Sequence, residues 1–154
     1  MWWTPWPLVV AALLGCAPSG TNADGAADAR PPNVVFIAVD DLRPALGAYG
    51  DSIARTPNID RLARSGAIFL QAHAQQAVCN PSRASLMTGL RPDSLRVWDL
   101  DTDFRVTTPG AITIPQHFRS HGYDAVSIGK IYHNVLPDSA SWSEPALHVD
   151  GLPF

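Results

Sequence analysis

The chain has 154 residues, enough for about one domain. It is 46% hydrophobic and 16% charged, and eleven basic against fourteen acidic side chains give a net charge of -3. That balance excludes a general nucleic-acid binder, which needs a basic field to neutralise phosphates, while leaving room for a local basic pocket. Fourteen prolines and eleven glycines predict many turns and long loops.

Residues 1–16 read as an export signal. Leu8 to Gly15 is apolar and about half as long as a membrane span. It ends in Leu13-Leu14-Gly15-Cys16, which resembles the bacterial lipobox, where the chain is cut before a cysteine that is then lipidated. Cys16 is therefore the expected lipidation site. No Lys or Arg precedes the run, so an ordinary secretory signal or a different start is the alternative. By the same resemblance, Ala17 favours sorting to an outer membrane. The expected location is the periplasm or cell surface, with membrane contact only through a lipid anchor. Residues 17–32 are small, polar and proline-terminated, and read as a flexible linker. Cys79 would then be alone in the mature chain. An odd cysteine in an oxidising compartment suggests intermolecular pairing or a special chemical fate.

From residue 33 the pattern changes. Asn33 to Asp41 is a short apolar, β-branched run that predicts a buried parallel strand ending in two carboxylates. A helix is predicted next, with Thr56 as N-cap, Pro57 at the first helical position, and Gly66 as its stop. Ile59, Leu62 and Ala63 form its apolar stripe. Ala67 to Gln75 predicts a strand running into a loop, and Pro81 to Thr88 a helix ended by Gly89, with Cys79 ahead of it. Arg91 to Gly110 is polar with weak pattern. Thr113 to Gly122 repeats the Thr, Pro, apolar and Gly signals of the first helix. Tyr123 to Lys130 predicts another strand, and Ile131 to Phe154 has no clear period. This order argues α/β with a largely parallel sheet. Ligands of such sheets bind beyond the carboxyl ends of the strands, so Asp40, Asp41, Lys130 and His133 would meet Cys79 on one rim.

Each feature has two readings. Adjacent carboxylates at Asp40 and Asp41 suit a hard divalent cation, or form a surface turn with one pairing to Arg43. Cys79 sits where helix N–H groups, and Arg83 one turn on, favour an anion, or it is a small buried cysteine beside a structural arginine. Ser82 could cap the helix. Lys130 and His133 could hold an anionic ligand, with His133 also a proton donor, or lie in a solvated loop. His73, His117, His121 and His148 lack metal-ligand spacing; His117 and His121 are four apart without a third ligand.

Cys79-Asn80-Pro81-Ser82-Arg83, followed after three variable residues by Met87-Thr88-Gly89, resembles the sulfatase signature. Val39 to Pro44 before it and Gly129 to His133 after it strengthen the likeness, as do Leu46 to Gly50, Thr56 to Ala63, Ala74 to Cys79 and Thr113 to Phe118. The combination resembles the iduronate-2-sulfatase type within that family, over about Pro32 to Pro145. The resemblance implies an alkaline-phosphatase-like α/β fold and hydrolysis of a sulfuric ester on a sulfated sugar. It implies that a maturation enzyme oxidises Cys79 to formylglycine, whose hydrate attacks sulfur with one hydroxyl and uses the other to expel sulfate. It implies Ca²⁺ held by Asp40, Asp41 and an oxygen of modified Cys79, with Arg83 beside the hydrate. Lys130 and His133 would bind the sulfate ester. Further metal ligands typical of the family do not follow His133, so residues 33–154 are expected to be the N-terminal part of a catalytic domain, carrying half a site, inactive and poorly soluble alone. A phosphonate or phosphate ester hydrolase of the same superfamily, a non-catalytic lipoprotein binding sulfated glycans, and the product of a broken gene are the rival expectations.

Overall fold

The computed structural model describes residues 31–147. The expected export signal, Cys16 and nearly all of the linker lie outside the described residues. The described residues fall in two units, divided between Phe36 and Ile37. Of the first, residues 31–36 have no regular secondary structure, and Val34, Val35 and Phe36 are exposed.

The second unit is built from short helices joined by long loops. They are α1 (Pro57–Ser65), α2 (Cys79–Thr88), α3 (Pro92–Leu95), α4 (Phe104–Thr107) and α5 (Ile114–Ser120), with 3₁₀ turns at Gly47–Tyr49 and Ser139–Ser141. Helix α2 packs against α3 and α5. Its Ala84 and Met87 join Leu95, Val97, Phe104, Ala111, Tyr132 and Trp142 in one apolar core. Tyr132 stacks on Phe104 at 6.0 Å between ring centroids and meets Trp142 edge-on at 5.9 Å. The loop after Lys130 is thereby sewn into the core by aromatic contacts.

Helix α2 starts where Val78 is extended (φ −140°) and ends where Gly89 turns left-handed (φ 72°), its N–H donating to the Ser85 carbonyl. The second feature needs glycine, since an L side chain crowds the backbone there. The helix begins at Cys79 rather than at Pro81, so the cysteine lies in the first turn and not ahead of it. Pro81 is tolerated there because first-turn N–H groups have no helical acceptor. Ser82 does not cap the helix; it lies inside it. Helix α5 forms as its Thr, Pro and Gln pattern implies: Thr113 and Gln116 make a reciprocal capping box.

Thr56 does not cap α1 with its side chain. Its Oγ1 accepts from the Gly47 N–H at 2.9 Å and donates to Asp60 Oδ1, which also accepts from the Ala48 N–H. The acid therefore competes for the hydroxyl, and together they staple the Gly47 turn onto α1. A Cβ on Gly47 would lie 2.5 Å from Asp60 Oδ2. Gly47→Ala is expected to push the carboxylate off both donors and cost about 1–2 kcal/mol. An unchanged denaturant midpoint would refute it.

The three strands expected at residues 33–41, 67–75 and 123–130 are not formed: no strand occurs among the described residues. The one trace of a ladder is an isolated parallel bridge between Ile128 and Leu147. Leu147 N–H donates to the Ser127 carbonyl at 2.8 Å and Gly129 N–H to the Leu147 carbonyl at 3.1 Å. The physical reason is that a strand, unlike a helix, takes its hydrogen bonds from a neighbour. Residues 33–39 make no backbone hydrogen bond among the described residues. Their apolar side chains stay exposed, as do Ile68, Phe69 and Leu70. The stripe on α1 forms but is likewise uncovered, with Ile59 and Leu62 exposed.

Candidate active site

Asp40 and Asp41 lie in a turn, and Asp41 is left-handed (φ 52°). Aspartate tolerates this region better than most side chains. The turn solves the problem that successive strand residues face opposite ways. One ligand atom from each of Asp40, Asp41 and Cys79 can be chosen so that all three lie within 4.8 Å of one another.

Arg83 is the buried hub. Its guanidinium donates to Asp40 Oδ1 at 2.6 Å, and to the backbone carbonyls of Lys130 at 2.6 Å and Ile131 at 2.9 Å. One planar fork thus joins α2, the Asp40 turn and the loop after residue 129. That loop turns at Gly129, whose φ is 71°. Lys130 Nζ donates to Asp40 Oδ2 at 2.7 Å and lies 3.9 Å from Cys79 Sγ. Cys79 Sγ is 3.8 Å from Asp40 Oδ1. Hydrogen bonds from Lys130 and Arg83 lower the Asp40 pKa from 3.8 to about 2. Asp40 pairs with these two cations and not with Arg43.

His133 is not bonded to Asp40, Cys79, Arg83 or Lys130 among the described residues. Its Nδ1 is shielded from solvent and has no hydrogen-bond partner. Its carbonyl accepts from the Leu136 N–H. His117 and His121 stack at 4.3 Å between ring centroids, with His121 Nδ1 against the His117 carbonyl.

The donor set bears on which ion would fit. Two atoms on one Ca²⁺, each at 2.3–2.6 Å, sit at most about 5 Å apart, so the cluster has the right span. The two carboxylates are hard donors and suit Ca²⁺ or Mg²⁺. The Cys79 sulfur is soft and does not, whereas an oxygen at that position would. Asp40 and Asp41 supply at most about four of the six to eight oxygens Ca²⁺ takes.

The model of the family described as Sulfatase matches residues 32–143. The chain belongs to the sulfatase family. It is 46% identical over 147 residues to iduronate 2-sulfatase of Homo sapiens, covering 92% of this chain and 26% of that protein. It is 45% identical to iduronate 2-sulfatase of Mus musculus over 84% of this chain and 24% of that one. A protein named Sulfatase from Formosa agariphila is 40% identical over 70% of this chain and 22% of its own length. The chain thus spans about a quarter of the length of these relatives. Membership in the sulfatase family implies an alkaline-phosphatase-like α/β fold, whose sheet is not formed among the described residues.

Two supports of this candidate site escape a reading by spacing. Asn80, buried, donates through Nδ2 to the carbonyls of Asp99 at 3.0 Å and Thr102 at 2.9 Å, tying the loop before α4 to α2. The second is a polar network behind Tyr132. Arg105 donates from Nε and Nη2 to the two oxygens of Asp138, both at 2.8 Å, and from Nη1 to the Ala111 carbonyl at 2.6 Å. Asp138 accepts from Ser141, whose hydroxyl also bonds Thr113 and Tyr132. Burial pushes the Tyr132 pKa up to about 12. Burial also works against the Asp138 charge, but bonds from Arg105 and Ser141 outweigh it and hold that carboxyl below its usual range. Only the charged pair of Arg105 and an acid could have hinted at this, and they stand 33 residues apart.

Proposed function

We propose that the chain carries one part of the active site of a sulfuric ester hydrolase of the iduronate-2-sulfatase type, acting on a sulfated sugar. The observation that carries the reading is the meeting of Asp40, Asp41 and Cys79 beside Arg83 and Lys130. Asp40 and Asp41, with an oxygen at position 79, would hold Ca²⁺, which would polarise a bound sulfate ester. Oxidised to formylglycine by a maturation enzyme and then hydrated by one water, residue 79 would supply a geminal diol, a nucleophile with two oxygens on one carbon. Arg83 is held by two carbonyls, so its charge is fixed beside the α2 first turn before substrate arrives. Lys130, 3.9 Å from Cys79 Sγ, brings a second cation to the same place and would attract the anionic ester. His133 is assigned to the ester and the charge that develops on it.

Residues 1–16 are proposed as a lipoprotein-type signal, 17–32 as a linker, and 33–154 as part of the catalytic domain. This places the protein outside the cytoplasm, with Cys16 carrying the lipid.

Peptide mass spectrometry tests both modifications at once. After coexpression with a formylglycine-generating enzyme in an exporting host, the peptide spanning Cys79 is expected to have lost its thiol to an aldehyde. The mature N-terminus is expected to be a lipidated Cys16. A Cys79 that stays a thiol throughout would falsify the sulfatase chemistry, and an unmodified Cys16 the anchor.

A further inference from the structure

Lys130 is the single lysine of the chain; the other ten basic residues are arginines. Among the described residues its ammonium has two partners, Asp40 Oδ2 and Cys79 Sγ, and both belong to the candidate ligand set. Arg83 holds the other Asp40 oxygen, yet it is not equally free to move. It is 8% exposed, and two backbone carbonyls grip it. Lys130 instead hangs from a flexible four-carbon stem. Asp41 is exposed and makes no ion pair or side-chain hydrogen bond among the described residues. The local charges therefore cancel: two aspartates against Arg83 and Lys130. A divalent cation added to that set meets a like charge already bonded to one of its ligand atoms.

The geometry points to Lys130 as the competitor of the metal for Asp40. Calcium taken up by the two aspartates displaces the ammonium from Oδ2, and the same event frees that ammonium for an anionic ligand. Metal binding and capture of a sulfate group are then coupled through one side chain. This rests on the metal site proposed above and adds an order to it: cation first, anion second.

The sole lysine makes the exchange visible. In the 154-residue chain carrying ¹³C-dimethylated amines, the Lys130 signal is identified by its loss in Lys130→Gln. It is expected to move on titration with calcium chloride, in step with binding measured by calorimetry. Lys130→Gln is expected to bind calcium about tenfold tighter, the size of removing a unit charge near a divalent one. Lys130→Arg keeps the charge and is expected to bind like the parent. Asp40→Asn is expected not to bind. If calcium binds, is lost in Asp40→Asn, but leaves the Lys130 signal in place and binds Lys130→Gln no tighter, the competition is wrong and the metal site stands. If calcium binds none of the chains, or binds Asp40→Asn as well as the parent, the metal site is wrong and the competition falls with it.

Discussion

Replacing Arg83 with methionine is expected to destabilise the chain by about 3 kcal/mol. Three acceptors lose their donor at once: Asp40 Oδ1 and the carbonyls of Lys130 and Ile131. An orphaned buried acceptor costs about 1–3 kcal/mol. Asp40 contributes less than a fully buried partner would, because its side chain is 39% exposed and keeps Lys130. Arg83→Lys is expected to recover little, since an ammonium cannot span three oxygens with a planar fork. Denaturant unfolding reads the loss, and a midpoint within error of the parent for Arg83→Met would refute it. The pH dependence follows from Asp40. Its folded pKa, lowered from 3.8 to about 2, means that the folded chain binds the proton more weakly than the unfolded one. The stability it contributes is present above about pH 4 and is lost as pH falls from about 4 to about 2. In Arg83→Met the Asp40 carboxyl is expected to titrate higher, which carboxylate NMR would show.

Replacing Arg105 with methionine is expected to cost about 3–5 kcal/mol, the range for removing one partner of a buried ion pair. The Asp138 side chain is left 3% exposed with no cation beside its charge. Its hydrogen bond from Ser141 remains, but the Ala111 carbonyl also loses its Arg105 donor, while Gln116 Oε1 keeps the bond from the Thr113 N–H. The double variant Arg105→Met with Asp138→Asn is expected to regain part of the loss, because the cost lies in the stranded charge and asparagine tolerates the left-handed backbone at position 138 (φ 44°). A double variant less stable than Arg105→Met would show that the pair acts by shape and not by charge. The Lys130 loop is then expected to loosen in the single variant, as Tyr132 depends on the same network through Ser141.

The convergence of Asp40, Cys79, Arg83 and Lys130 was legible in the sequence because each belongs to a short motif with its own chemical sense. Helices α1 and α5 were legible too, since proline and glycine mark their ends locally. What was not legible depends on distant partners. The runs at 33–41 and 67–75 have strand composition, but composition names no neighbour, and without one their backbone stays unladdered. Helices α3 and α4, four residues each, are too short to show a period. The Arg105 and Asp138 pair has no local signature because its members meet only after the loop between them has folded back. His133 is a mixed case: its motif was readable, but its ring makes no bond to the cluster among the described residues.

The parallel bridge between Ile128 and Leu147 bears on how this segment can change length. The chain leaves the ladder at Gly129 and rejoins it at Leu147, so both ends of the excursion carrying Lys130 are referenced to one register. Extra residues inserted at the exposed Asn134 or Val135 lengthen only the excursion and leave that register intact. One residue added between Ser143 and Leu147 is different. Ser143 and Leu147 N–H groups both donate to the 125–127 segment, and a slip of one would turn each side chain to the opposite face. Insertions are therefore expected to be tolerated in the middle of this excursion and to unfold its return.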